Sequence, residues 1–281
     1  MSSVRVFAPA KINLFLHVVG RRPDGYHLLE TAFRMLAHGD WITLTRREDG
    51  AIHRTSTLAG VAEESDLVVR AARLMQTRTN SRFGVDIAVE KKLPMGGGLG
   101  GGSSDAASVM LGLNRLWGLG IGRETLQQWG LTLGADVPFF LFGQSAFAQG
   151  VGEKLQPLSL PPACYVVVEP PVAVPTGQIF TADDLTRDTE PTIIARFPEL
   201  PTRNDLELVA RRLFPEVDAA IEMLGAFGEA RMSGSGSSVF LRCADASEAR
   251  KLVAKLPSGT QAWIAESLDR HPLFDWADSD Q

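Results

Sequence analysis

Apolar residues recur at every second position near the start of the chain: Val4, Val6, Ala8, Ala10, Ile12, Leu14, Leu16 and Val18. That period belongs to an extended strand with one buried face. Residues 40–46 and 84–89 alternate in the same way and predict two more strands. Residues 67–75, 104–117 and 123–131 instead carry a helical period. Beyond the proline-rich stretch 157–162, the pattern predicts a strand at 165–169, helices at 205–214 and 216–226, a strand at 238–243, a helix at 246–255 and a strand at 261–267. Strands and helices mixed in this order predict α+β in both halves. The boundary falls near 157–162, with domains at 1–160 and 161–281. The acidic end, 275–281, reads as frayed.

Composition narrows the function classes. The chain has 281 residues, 44% hydrophobic and 22% charged, enough for a full core and unlike a disordered chain. No apolar run approaches the ~18 residues of a membrane span. The short apolar stretch 12–19 is interrupted by Asn13 and His17, unlike a signal peptide. Two cysteines, Cys164 and Cys243, make neither a disulfide scaffold nor a cysteine-rich zinc site. A net charge of −5 argues against general nucleic-acid binding. The expectation is a cytoplasmic protein with small-molecule partners, no nucleic acid and no membrane, and a monomeric or homodimeric state. Two counts stand apart. Glycine is 27 of 281 residues, above the usual ~7%. Only six of 28 basic residues are lysines, one of them Lys11 in the first strand.

Six glycines lie in one run, Pro94, Met95, Gly96, Gly97, Gly98, Leu99, Gly100, Gly101, Gly102, Ser103 and Ser104, between a strand and a helix. Glycine lets backbone approach a ligand closely, and free amides at a helix start bind anions, so the run reads as a nucleotide phosphate loop. Ser103 or Ser104 is a candidate cap for the helix. The alternative is a flexible or helix-packing loop. The run is no P-loop, because no Gly-Lys-Ser/Thr follows it, and a dinucleotide site would want an acid about 20 residues on at the end of a second strand, where this chain has Glu124 in a helical stretch.

On a regular strand Lys11 and Asn13 face away from the apolar series, together with Phe7, Phe15, His17 and Val19. Lys11 is then either a solvated edge residue or a charge with partners. Pro9 suggests an edge or a bulge. The turn-rich segment 20–27 presents Tyr26 and His27, which read as a loop anchor or as a binder of a ring-bearing ligand. Asp136, before Val137 and Pro138, has the position of a helix cap. Beside a cationic lysine it could also take a hydroxyl proton.

Pro9-Ala-Lys-Ile-Asn13, the 94–107 glycine-serine run and Met232-Ser-Gly-Ser-Gly-Ser-Ser-Val-Phe240 resemble, in order, the three motifs of the GHMP small-molecule kinases. The segments 22–30 and 134–140 resemble the branch whose acceptor carries a cytidyl group. The resemblance runs from about residue 6 to 267. It implies a ribosomal-S5-like N-terminal domain and a ferredoxin-like C-terminal domain. It implies that the γ-phosphoryl of ATP, with Mg²⁺ accompanying the nucleotide, passes to the 2-hydroxyl of 4-diphosphocytidyl-2-C-methyl-D-erythritol in isoprenoid synthesis. By matching motif, Asp136 is the base and Lys11 polarises the hydroxyl and holds Asp136. Asn13 and Asp136 contact the methylerythritol end. His27 reads the base, Tyr26 stacks on it, and Phe180 covers its other face. The loop containing Gly234 and Ser235 closes beside the substrate, and a hydroxyl of Ser103 or Ser104 could reach the metal, for which the sequence assigns no protein ligand. Asp66 stands where many relatives carry an asparagine near adenine. The rivals are a GHMP kinase for homoserine, mevalonate or a sugar, a non-catalytic nucleotide binder, and a dinucleotide oxidoreductase.

Overall fold

The computed structural model describes residues 2–58, 60–192, 194 and 202–277. Its strands are β1 (Ser3–Arg21), β2 (His27–Arg47), β3 (Ile52–Arg54), β4 (Gly84–Glu90), β5 (Ala146–Gly150), β6 (Lys154–Pro157), β7 (Cys164–Val168), β8 (Ala230–Met232), β9 (Val239–Cys243) and β10 (Ala262–Leu268). The helices are α1 (Leu67–Thr79), α2 (Gly101–Leu116), α3 (Arg123–Leu131), α4 (Val137–Phe142), α5 (Thr176–Phe180), α6 (Glu207–Leu213), α7 (Pro215–Gly225) and α8 (Ala246–Val253). The order is α+β, as the pattern predicts.

The long strand β2 is the frame. It pairs antiparallel with β1 along nearly its whole length, and with β5, β10 and β4 along successive parts of it. The strand order β3-β4-β2-β10-β7-β9-β8 makes one continuous sheet across both halves. Sequence alternation gave only 40–46 of this strand; its N-terminal part is nearly all buried on both faces, so no alternation marks it.

Two large clusters of buried side chains flank the sheet. The first holds Val4, Val6 and Ala8 against α1, α2 and α4; the second packs β7 and β9 against α6, α7 and α8. In α1 the buried positions Val68, Val69, Ala71, Ala72 and Met75 follow the helical period, and Asp66 caps the helix by accepting from the Val68 amide at 3.1 Å. The chain end returns to the first cluster. Leu273 and Ala277 are buried there, so 275–277 are packed rather than frayed, and 278–281 lie outside the described residues.

The apolar series of β1 does not stay on one face. Register shifts fall between Pro9 and Ala10, between Asn13 and Leu16, and between Val18 and Gly20. Directly paired residues point to the same side of an antiparallel sheet. Val6 pairs with Ile42 and Lys11 with Met35, and both partners belong to the first cluster. Ala10 and its partner Leu36 belong to another. The bulge at Pro9 therefore inverts the parity and carries Lys11 and Asn13 to the side that bears Val4, Val6 and Ala8. The second shift inverts it again, so Leu16 rather than His17 shares the side of Asn13. His17 turns to the Thr192 hydroxyl, 3.1 Å away.

The first bulge needs a glycine opposite it. A Cβ on Gly39, the partner of Pro9, would lie 2.0 Å from the Ala8 carbonyl oxygen. Gly39→Ala is expected to cost at least ~2 kcal/mol of stability, read by urea denaturation. A stability equal to the parent would mean that the bulge has no such requirement.

Candidate active site

Lys11 is 3% exposed, so the solvated-edge alternative does not hold. The open edge of β1 is covered there: the Lys11 amide donates to the Leu99 carbonyl of the glycine loop at 2.9 Å. A buried ammonium needs acceptors. Nζ donates to Asn13 Oδ1 at 2.6 Å and lies 3.4 Å from Asp136 Oδ2. The Phe33 ring is 5.3 Å away on a further side. Asn13 is held in its turn, its Nδ2 donating to the Thr31 hydroxyl at 2.9 Å while that hydroxyl donates to the Phe15 carbonyl. Thr31 thus sets the amide so that its oxygen faces the lysine.

Asp136 occupies the position before α4, yet its side chain makes no capping bond and its backbone is helical. The capping role is therefore not realised. The carboxylate is one-third exposed and faces the cavity with Lys11.

The glycine loop is anchored through its carbonyls. Besides Leu99, the Gly98 carbonyl accepts from the Ser233 hydroxyl at 2.9 Å and the Gly97 carbonyl from the Ser238 amide at 3.1 Å. The third motif therefore buttresses the second. The Ser233 hydroxyl also accepts from the Asn13 amide, which joins the first motif to both. Gly98 has φ of +73°, and a Cβ there would stand 2.1 Å from the Ser233 carbonyl oxygen, so only glycine fits.

Helix α2 begins at Gly101 after Gly100, and no side chain caps it. Neither serine is a cap, because both lie inside the first turns. An uncapped start leaves amides without intrahelical acceptors, which suits a phosphate. Ser103 lines the cavity. Ser104 is fully buried and its hydroxyl has no partner among the described residues, so Ser103 is the serine available to a ligand.

These groups share one cavity of about 760 Å³, within the usual range of small-molecule sites. Its lining includes Lys11, Asn13, Gly96, Gly98, Gly100, Ser103, Asp136, Gly234 and Ser235, and at the other end Tyr26, His27 and Phe180. Pro94, Met95, Gly97, Leu99, Gly101, Gly102 and Ser104 do not line it. Leu99 is buried beneath the loop and Met95 is exposed. Tyr26 is 66% exposed at the rim. His27 stacks directly on Phe180, with ring centroids 5.0 Å apart. That closeness leaves no room for a base between those two rings. Asp66 does not line the cavity, and its two oxygens are engaged by the Val68 amide and by Arg54 at 2.6 Å.

Residues without a sequence signal complete the site. Thr176 and Ser235 share a hydroxyl bond of 2.8 Å, tying α5 to the third motif. Arg187 donates to His27 Nε2 at 3.2 Å. Burial, then the cations Arg187 and Arg21, hold the His27 imidazole below its ordinary pKa. Thr31 lies in the part of β2 that is buried on both faces, so no alternation marks it. A second lysine, Lys91, partly buried, bridges Asp40 and Asp105, and its ammonium lies against Gly101.

Comparison with known proteins agrees with this geometry. The GHMP kinases N terminal domain profile matches residues 66–144, and the GHMP kinases C terminal profile matches residues 193–260. The chain belongs to the GHMP kinase family, whose members are ATP-dependent kinases of small molecules. A homoserine kinase structure from Cytophaga hutchinsonii, 16% identical, superposes with a TM-score of 0.71 over 96% of each chain, which shows the shared fold. Within the family, the chain belongs with the 4-diphosphocytidyl-2-C-methyl-D-erythritol kinases. The one from Aromatoleum aromaticum is 58% identical over 96% of this chain and 95% of its own. A crystal structure of 4-(cytidine 5'-diphospho)-2C-methyl-D-erythritol kinase, 38% identical, superposes with a TM-score of 0.82 over 94% of this chain and 99% of that one.

The Lys91 cluster under the loop makes a pH prediction. Burial pushes the Asp105 carboxyl up to about 7 from 3.8; the Lys91 ammonium opposes this and the Asp40 carboxylate adds to it. Two carboxylates share one cation, and protonating Asp105 leaves a neutral pair. A raised pKa means that the folded state holds a proton which the unfolded state has lost. The stabilisation is full below about 4 and is lost as pH rises through about 7. Asp105→Asn is expected to flatten the fall in stability between about pH 4 and 7, followed by denaturation at each pH. Identical slopes for both proteins would remove Asp105 as the source.

Proposed function

We propose that the protein transfers the γ-phosphoryl of ATP to the 2-hydroxyl of 4-diphosphocytidyl-2-C-methyl-D-erythritol, giving the 2-phosphate and ADP, in the non-mevalonate route to isopentenyl diphosphate. The observation that carries this reading is the Lys11–Asp136 pair, 3.4 Å apart, in a cavity with an uncapped glycine-rich helix start near it and an aromatic cluster at the other end. A phosphate donor and a ring-bearing acceptor would meet at that pair.

Phosphoryl transfer has a loose transition state, so positioning and charge stabilisation carry most of the catalysis. In this reading the amides at the start of α2 hold phosphate oxygens. Asp136 receives the proton of the 2-hydroxyl as the phosphorus–oxygen bond forms. Lys11 steadies the developing charge and keeps Asp136 in position, and Asn13 keeps Lys11 in position. Tyr26, at the rim, is the ring available to stack on cytosine, and Phe180 supports His27 from behind. Gly234 and Ser235 border the substrate.

Among the described residues, no group of three His, Cys, Asp or Glu could hold a metal. Mg²⁺ in this reading arrives on the nucleotide and supplies charge neutralisation, with the Ser103 hydroxyl as the protein oxygen at the cavity. The reading keeps two domains, 1–160 and 161–281, with 267–277 returning to the first. No helix among the described residues is long and apolar enough to cross a membrane. The enzyme is proposed as cytoplasmic, which fits two free buried thiols facing each other across β7 and β9.

The test is a coupled ADP-release assay with the cytidyl substrate, and with homoserine for comparison. Asp136→Asn and Lys11→Ala are each expected to lower kcat at least ~100-fold while the proteins stay folded. The Asp136 side chain makes no capping bond, so Asp136→Asn should change stability by no more than ~1 kcal/mol. Turnover near wild type in either variant removes that residue from the mechanism. Faster turnover of homoserine would move the chain to another acceptor.

A further inference from the structure

The polar contacts of His27 are completed by a residue on a loop with no recognisable motif. Arg187 donates from Nε to His27 Nε2 at 3.2 Å. Its other nitrogens are tied down: Nη1 donates to the Leu185 carbonyl at 3.1 Å, and Nη2 to the carbonyls of Phe180 at 3.2 Å and Ala182 at 2.6 Å. Two of these acceptors, Phe180 and Ala182, lie at the end of α5, where helix carbonyls are unpaired and a cation is favoured. The guanidinium is therefore held from three sides before it meets the imidazole.

A guanidinium has donors and no acceptor. The Nε2 atom that it addresses must then be the unprotonated nitrogen, and a neutral ring carries its proton on Nδ1. One face of the ring is against Phe180. His27 nevertheless lines the cavity, and its Nδ1 has no protein partner among the described residues. The polar group left to a ligand is a single N–H donor.

We propose that Arg187 is a positioning residue that fixes the His27 tautomer and, through it, the choice of nucleobase. This rests on the cytidyl reading above. Cytosine carries two adjacent acceptors, O2 and the ring nitrogen N3. Uracil carries an N–H at N3. An Nδ1–H donor matches the cytosine edge and opposes the uracil N–H, whereas the other tautomer would present an acceptor and lose that discrimination. A site with a fixed donor rejects the analogue that cannot accept from it.

The test uses the full-length protein with Arg187→Met, which removes the donor, and Arg187→Lys, which keeps a donor-only cation. Nitrogen-15 NMR of the free enzyme at neutral pH should show the wild-type His27 protonated on Nδ1, with the Nε2–H form gaining in Arg187→Met. Cytidyl and uridyl substrates are then compared. Arg187→Met should lower the cytidyl-to-uridyl ratio of kcat/KM roughly tenfold or more through KM, with kcat little changed, and Arg187→Lys should recover most of it. A wild-type imidazole protonated on Nε2 overturns the proposal. So does an equal loss on both substrates in Arg187→Met, the mark of a merely structural role. Wild type that turns over neither substrate overturns the cytidyl reading and the base choice with it, and the NMR measurement decides the tautomer independently.

Discussion

An ammonium almost wholly removed from water has to be surrounded by acceptors, and Lys11 imposes that requirement on its surroundings. Each of its neighbours is fixed by something else. Asn13 is oriented by Thr31, and Thr31 by the Phe15 carbonyl. The Lys11 amide holds the glycine loop through Leu99, while the Asn13 amide reaches Ser233 in the third motif. Three segments distant in the chain thus converge on one strand. The bulge at Pro9 makes this possible, because a regular strand would send Lys11 to the opposite side of the sheet from α2 and α4. A change at Gly39, remote from the chemistry, would act on the cation through that bulge.

The glycine loop works by an inverted economy of hydrogen bonds. Its carbonyls at 97, 98 and 99 are satisfied by protein donors, and the helix after it begins without a side-chain cap. Positive potential is left at the helix start. A capping serine would have competed with a ligand for those amides. Beneath the loop, Lys91 joins Asp40 to Asp105, and Asp40 also accepts from the Leu93 amide at 2.9 Å. This locks the strand-to-loop connection to α2, so the glycine loop is braced on its inner side.

Much of this was legible in the sequence, and the exceptions have identifiable causes. The α+β order, the glycine loop at the start of a helix and the pairing of Lys11 with Asp136 follow from spacing and motif resemblance. The side of the sheet on which Lys11 lies does not, because parity arguments assume an unbroken strand and β1 shifts register three times. Asp136 has the sequence of a cap without its bond, since its backbone has already turned helical. Asp66 could be imagined at a nucleotide only while Arg54 was unseen; a partner twelve residues away on strand β3 leaves no local trace. Arg187 lies in a polar loop whose sequence resembles any other.

The same considerations say where acceptor specificity resides. A homoserine kinase shares the fold with 16% identity, so the fold does not select the acceptor. In this chain the two ends of the cavity are built from different parts. The phosphate end is three motifs bound to one another through backbone atoms, and substitution there disturbs the loop itself. The aromatic end consists of a turn at 22–27 and the short segment 176–187, joined to each other by the side chains of Arg187 and His27 and to the third motif by those of Thr176 and Ser235. Side-chain joints can be exchanged without remaking the phosphate site. A family that keeps one reaction while changing its acceptor would therefore vary the second end, where in this protein His27 is stacked on Phe180 and held by Arg187.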